Sequence, residues 1–338
     1  MDLSFRQYQN CRLCPRRCSA DRTVSFGFCG CSSQMKAARA ALHMWEEPCI
    51  SGTRGSGTIF FSGCTLGCCF CQNSPISQEG FGAEISPEQL AEIMLHLQDQ
   101  GAHNISLVTA DQYLPSILPA LDQVRHRLTI PVVYNCGGYQ RTEIVKALKD
   151  YVDIWLPDLK YQSETLSARY SRAADYFACA SGAIAQMIRQ TGAPVFDESG
   201  LLRSGVIIRH MVLPQAKEDS IALLAWMRDE LPKDQFLISL MSQYTPFYHA
   251  KKGGPYPEIS RRVTSYEYQK VVDAALDFGL SRGYMQQRSS AREEYTPPFD
   301  LEGIPECLPG KPGQNRSENR FFIAFLRYSP LNYLIHWT

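Results

Sequence analysis

The sequence lacks a surplus of either charge: Lys plus Arg and Asp plus Glu are both 34, so the formal net charge is zero over 338 residues. That leaves no bulk field to draw in nucleic acid or an anionic membrane. No apolar run approaches the ~18 residues of a membrane span, and residues 1–10 are polar, without the apolar stretch of a signal peptide. These absences predict a cytoplasmic protein with neither nucleic acid nor membrane as partner. Cysteine, too, is scarce over most of the chain. Beyond Cys71 only Cys136, Cys179 and Cys307 occur, whereas ten of the thirteen lie between Cys11 and Cys71. A disulfide framework belongs to short secreted chains. Cysteines crowded at one end of a long cytoplasmic chain point to metal instead.

The chain is long enough to bury a full core, and one large α/β domain with small appendages fits as well as two domains. After the cysteine-rich head, strand-like and helix-like segments alternate. Strands are expected at 58–62, 105–109, 131–135, 152–156, 206–213 and 236–243, with a short last one at 282–287. Between them Ser86-Pro87-Glu88-Gln89 opens a helix with a capping box and a Pro at its first position, and Gly101 ends it. Further helices are expected near 114–127, 143–149, 176–190 and 220–231, and Thr264-Ser265-Tyr266-Glu267 opens another to 278. Six β-α units in series predict a parallel sheet with right-handed crossovers, open or curled toward a barrel. Chemistry in such folds collects at the carboxyl ends of the strands.

At the first such end stands Ser62-Gly63-Cys64-Thr65-Leu66-Gly67-Cys68-Cys69-Phe70-Cys71-Gln72-Asn73. Cys64, Cys68 and Cys71, spaced C-x3-C-x2-C, can hold three irons of a cubane cluster and leave the fourth open. Thiolates also suit zinc, and buried cysteines can act as small hydrophobes. Against zinc, a closed tetrahedral site wants a fourth ligand, and Cys69, adjacent to Cys68, does not supply one. Phe70 could shield a cluster and pack beside a bound adenine, and Gly63 and Gly67 permit a tight turn.

The loop resembles the C-x3-C-x-aromatic-C motif of the radical S-adenosylmethionine (SAM) superfamily. Cys71-Gln72-Asn73 looks like the Cys-His-Asn of glycyl-radical-enzyme activases. With residues 55–64, 151–160 and 209–214 it makes residues 11–303 similar to the branch that resembles pyruvate formate-lyase activating enzyme. The resemblance implies a partial (β/α)6 barrel, a 4Fe-4S cluster on Cys64, Cys68 and Cys71, and SAM on the open iron. It implies reductive cleavage of SAM to a 5′-deoxyadenosyl radical, a one-electron donor such as flavodoxin or ferredoxin, and a protein substrate similar to glycyl radical enzymes. By alignment, Asp158 and Lys160 anchor the methionine end of SAM. Asn135 and Arg209, at other strand ends, are further cofactor-binding candidates. Arg209 and His210 are adjacent on one strand, so only one points into the site. The Gly-Gly-Glu that binds the SAM amino group in many members is missing; Leu107-Val108-Thr109-Ala110-Asp111 stands there, with Thr109 or Asp111 as replacement acceptors.

Cys11, Cys14, Cys18 and Cys29, with Cys31 close by, form a second group suited to zinc or an auxiliary iron–sulfur cluster. Arg12, Arg16, Arg17 and Arg22 crowd this head and read as a solvated basic face. The chain is therefore expected to comprise a cysteine-rich segment 1–50, a catalytic body 51–303, and a tail 304–338 without an assigned role. Two other functions compete: radical chemistry on a small molecule or another peptide, and a zinc-stabilised binding protein without SAM chemistry.

Overall fold

The computed structural model describes residues 3–286 and 297–305 and the backbone of 333–334. Seven strands run parallel and neighbour one another in chain order: Ser56–Phe61, Ile105–Val108, Val132–Cys136, Ile154–Pro157, Leu202–Met211, Leu237–Met241 and Gly283–Gln286. The crossovers between them carry Pro87–Asp99, Leu114–Val124, Thr142–Ala147, the pair Glu164–Ser171 and Tyr176–Thr191, Lys217–Glu230 and Ser265–Asp277. The sheet does not close; it ends on the short strands Ala83–Glu84 and Tyr333–Leu334. This is a partial (β/α)6 barrel completed by a seventh strand. Both expected capping boxes are present, at Ser86/Gln89 and Thr264/Glu267.

The strands Ser56–Phe61, Ile105–Val108 and Val132–Cys136 are buried along their whole length. Helices cover one face and the barrel interior faces the other, as near-continuous apolar strands require. Outward residues such as Leu107, Tyr134, Trp155 and Ile208 join the helix-facing core. Inward residues Val133, Ile154, Leu156, Ile207 and Leu237 form a second core. Its centre is not made by strands. Cys49 and Ile50, on the short helix Pro48–Ser51, enter the barrel and pack among those residues. Asn104 Nδ2 donates to Ile50 O at 2.8 Å, and Ser56 Oγ donates to Asn104 Oδ1 at 2.6 Å. Burying Ile50 this way contributes roughly 1.5–3 kcal/mol.

Residues ahead of the first parallel strand thus belong to the barrel's interior, and to its edge as well. Lys36–His43 pairs antiparallel with Ser56–Phe61, although its Ala-rich composition favours helix. Pairing with a buried neighbour overrides that preference. Other differences from the expected elements have equally local causes. The strand expected to begin at 206 begins at Leu202, because a hairpin with Val195–Phe196 extends it. The expected tail 304–338 lies outside the described residues except for 304–305 and the backbone of 333–334.

The head corrects the reading of a solvated basic face for Arg16 and Arg22, while Arg12 and Arg17 are exposed as that reading expects. Arg22 is 0% exposed and donates to Cys31 O (3.0 Å), Ser32 O (2.6 Å), Gln112 O (2.7 Å) and Cys11 Sγ (3.7 Å). Its guanidinium lies 4.8 Å from the ring centre of Tyr8. Arg16 stacks on Phe28 at 4.1 Å and donates to Thr65 O at 3.1 Å, fastening the head to the cysteine loop of residues 62–73. Planar guanidinium groups serve here as structural hubs. Among the described residues no helix is long and apolar enough to cross a membrane.

Candidate active site

The cysteine loop is held from three sides. Gly63 has φ +80°, and a side chain there would stand 2.0 Å from Cys31 Sγ. Only glycine lets the head press so closely on the loop. Cys69 lies between the candidate ligands, yet its main chain does the work: its N–H donates to Tyr170 O at 2.8 Å, and its carbonyl accepts from His249 (2.9 Å) and Ala250 (3.1 Å). The main chain at His249 and Ala250 therefore fastens the cysteine turn.

Cys64, Cys68 and Cys71 border one cavity of about 250 Å³ at the carboxyl ends of the strands. Cys68 is buried; Cys64 and Cys71 are partly exposed. Burial pushes all three thiols up, Cys71 to about 11; neighbouring cysteines push Cys64 and Cys71 the same way, whereas Lys160 and Ser171 oppose the rise at Cys68. Sulfur partners are in place: Ser171 Oγ lies 2.9 Å from Cys68 Sγ, Ser77 Oγ 3.2 Å from Cys71 Sγ, and Leu66 N–H donates to Cys64 Sγ at 3.4 Å. Tyr161 OH extends this chain to Ser171 at 2.9 Å. Three soft donors on one cavity, each with a hydrogen-bonding group on its sulfur, fit an iron–sulfur cluster.

The opposite wall is a network of charge, half-buried at Asp158, Lys160 and Arg209 and buried at Glu46. Lys160 Nζ donates to Asp158 Oδ2 at 2.6 Å. Arg209 donates to Asp158 Oδ1 (3.0 Å), Glu46 Oε2 (3.1 Å) and Asn135 Oδ1 (2.5 Å), and Asn135 Nδ2 donates to Glu46 Oε1 at 3.1 Å. Burial alone would raise the Asp158 carboxyl, but the Lys160 and Arg209 charges outweigh it and hold it below the usual carboxylate range. Glu46 goes the other way: burial dominates and raises it despite Arg209. Asn135 and Arg209 continue the inward face of Val133 and Ile207, as alternation along a strand requires. Phe70 closes the cavity beside the cysteines, edge-on to Tyr244 at 5.7 Å.

The structure separates the two replacement acceptors. Thr109 borders the cavity with φ +56°, a strained conformation for a β-branched residue. Asp111 points elsewhere, accepting from Tyr134 OH (2.9 Å) and Gln140 Nε2 (2.5 Å). Sequence reasoning missed Glu46 and Glu47, which border the cavity from the strand-to-plug turn Trp45-Glu46-Glu47-Pro48. Locally that turn reads as an exposed polar loop, and no spacing marks it.

His210 faces away from the cavity. Its Nδ1–H donates to Leu159 O at 2.7 Å, which leaves Nε2 to accept from Ser220 Oγ at 2.8 Å. Burial lowers its pKa from 6.5 to about 4. The folded value is below the unfolded one, so protonation favours the unfolded chain. Stability from this residue is complete above pH 6.5 and declines as pH falls toward 4. His210→Gln is expected to remove about 2 kcal/mol of the stability difference between pH 7 and pH 5, read from urea midpoints at each pH.

In the head, Cys11 and Cys31 are buried, Cys14 and Cys29 intermediate, and Cys18 exposed. Cys31 turns to the cysteine loop, 3.5 Å from Ser62 O. Among the described residues no three His, Cys, Asp or Glu side chains converge on a single metal ion. A larger hollow of about 710 Å³ lies on the outer surface between Leu3, Met35, Pro115 and Tyr151. It has one carboxylate, Asp122, already accepting from Tyr151, and so lacks the convergent polar groups of a reaction site.

Residues 58–176 match the family model described as the radical SAM superfamily. The chain is 32% identical over 288 residues to the uncharacterized protein MJ0674 of Methanocaldococcus jannaschii, covering 82% of this chain and 77% of that one. Among solved structures it is similar to Streptococcus suis SuiB bound to S-adenosylmethionine, with 14% identity, a TM-score of 0.42, 66% of this chain covered and 48% of that one. It is also similar to QueE from Escherichia coli, with 13% identity, a TM-score of 0.39, 75% of this chain covered and 94% of that one.

Proposed function

This chain belongs to the radical SAM superfamily, and from that premise we propose that it is an iron–sulfur enzyme that cleaves S-adenosylmethionine reductively to abstract hydrogen from a substrate. One observation carries the reading: Cys64, Cys68 and Cys71 share a single cavity with Asp158, Lys160, Arg209 and Asn135. When bound, the reduced 4Fe-4S cluster supplies the electron that splits the SAM sulfonium into methionine and the 5′-deoxyadenosyl radical.

The chain's own residues set the conditions for that chemistry. Cys64, Cys68 and Cys71 would hold the cluster, and the hydroxyls of Ser171 and Ser77 are placed to stabilise the Cys68 and Cys71 sulfurs as thiolates. Asp158 and Lys160 offer one carboxylate and one ammonium to the methionine end of SAM. Arg209 orients Asp158 and Asn135. Phe70, backed by Tyr244, walls the cavity against water, which protects a reactive radical from side reactions.

The narrower reading is an enzyme similar to glycyl-radical-enzyme activases, served by a one-electron donor such as flavodoxin or ferredoxin. Cys71-Gln72-Asn73 and the Asp158-x-Lys160 pair support it. Anaerobic reconstitution, dithionite reduction and SAM addition should yield 5′-deoxyadenosine. No such product, in a protein that carries zinc and no iron, overturns the enzyme reading in favour of a zinc-stabilised binding protein. A glycyl radical detected by electron paramagnetic resonance on an added partner supports the activase reading; cleavage without one favours a small molecule or another peptide. We also propose a second metal on Cys11, Cys14, Cys18 and Cys29. Its support is Arg22, a buried cation whose partners are carbonyls and the Cys11 sulfur. A metal content unchanged by Cys14→Ala removes that proposal.

A further inference from the structure

Three carboxylates and two cations share the floor of the cavity. Asp158 is satisfied by Lys160 and Arg209, and both oxygens of Glu46 are taken by Asn135 and Arg209. Glu47 differs. It is 3% exposed, borders the cavity, and its Oε2 has no hydrogen-bond partner among the described residues. Ser239 Oγ, on the inward face of Leu237–Met241, is buried, has no partner within hydrogen-bond distance among the described residues, and lies close enough to favour the ionised Glu47. His43, the other titratable group on this floor, is lowered to about 4 by burial and supplies no positive charge near neutrality. Burial raises the Glu47 carboxyl and Arg209 only partly opposes it, so the ionised form needs a further cation: three carboxylates there outnumber two cations by one. A buried carboxyl without a partner stays neutral by its raised pKa, and a cation placed beside it restores the ionised form.

We infer that Glu47, with Glu46 beside it, is a binding subsite for a protonated amine on a molecule that enters this cavity. The inference rests on the reading of the cavity as the reaction chamber and adds a ligand class to it. The remaining donor set selects among cations. A metal ion would need several oxygens, and among the described residues no three His, Cys, Asp or Glu side chains are grouped closely enough to hold one. A guanidinium is best met by both oxygens of one carboxylate, and those of Glu46 are already engaged. An ammonium needs only single acceptors, and Glu47 Oε2 is one that no described residue uses. The turn that carries Glu47 is locked by Pro48 and by Glu47 O, which accepts from Ile50 and Ser51. The carboxylate is therefore held on the floor before any ligand arrives.

Two molecules could bring the amine: SAM, through its amino-acid end, or the substrate. Calorimetric titration of the anaerobically reconstituted protein separates them, with butylamine and butanol as probes, each with and without SAM. Butylamine is expected to bind at least ~10-fold more tightly than butanol, and Glu47→Gln is expected to erase that preference. If butylamine competes with SAM and Glu47→Gln weakens SAM binding by about tenfold or more, the amine is that of SAM. If butylamine binds alongside SAM and the variant holds SAM as tightly as the parent, the amine belongs to the substrate. Equal binding of butylamine and butanol to the unaltered protein overturns the subsite without any variant having to fold. A preference that survives Glu47→Gln overturns it as well. Loss of SAM cleavage with the amine preference intact would instead overturn the proposed radical chemistry alone.

Discussion

Cys68→Ala is expected to reduce 5′-deoxyadenosine formation by at least ~10³-fold, a loss of about 4 kcal/mol of transition-state stabilisation. The same substitution should strip iron from the reconstituted protein. Cys68 is the most enclosed of the three candidate ligands, with Ser171 Oγ at 2.9 Å and Tyr161 behind it. Alanine leaves those hydroxyls without their sulfur and one iron without its thiolate. Cys69→Ala is the matched control. Its neighbours engage Cys69 through main-chain N–H and carbonyl groups, which alanine preserves, so iron content and SAM cleavage should stay at the level of the parent. Equal iron loss in the two variants would sink the assignment of Cys64, Cys68 and Cys71 as the ligand set. Iron content by colorimetric assay and product by chromatography read both outcomes.

Arg209→Leu should be the most damaging change outside the cysteine loop. It removes a cation that touches Asp158, Glu46 and Asn135 and leaves the two acids facing each other with Lys160 as their remaining counter-charge. Breaking a buried pair from one side costs about 3–5 kcal/mol, because the orphaned charge stays buried. Urea unfolding of the metal-free protein measures this without reference to activity. Arg209→Lys keeps the charge but not the fork that reaches three partners, so it should recover only part of the loss. Arg228→Ala, which breaks the exposed pair with Asp229, should leave the midpoint where it was. If Arg209→Leu behaved like Arg228→Ala, the floor network would not be the electrostatic keystone described here.

Much of this architecture was legible in the sequence because its signals are local. Capping boxes at Ser86 and Thr264 place helix starts within a single turn. Apolar runs bounded by Gly, Pro and charged residues place the parallel strands to within a few residues. The spacing of Cys64, Cys68 and Cys71 is itself a geometric statement about one loop. The two-residue period of a strand was enough to put either Arg209 or His210 in the site. Which of them it is depends on which face of Leu202–Met211 meets the helices, and that is a tertiary fact.

What stayed hidden depends on contacts distant in sequence. Glu46 and Arg209 are 163 residues apart. Nothing near Glu46 announces that its turn enters the barrel, since a charged turn before a proline looks the same on a surface. Arg22 has the composition of a solvated basic head and the environment of a core residue, because Tyr8, Tyr113 and the Gln112 carbonyl close over it. Lys36–His43 has a helix-like composition and becomes a strand only because Ser56–Phe61 offers an unpaired edge.

The sequence by itself determined the alternation of elements and the three thiols on one loop, since periodicity, capping and ligand spacing act over a few residues. Tertiary structure alone decided what stands opposite those thiols. A segment from ahead of the first parallel strand plugs the barrel and brings two glutamates to its floor. Charges in a buried cavity are set by whatever the fold gathers there, and no local pattern encodes that.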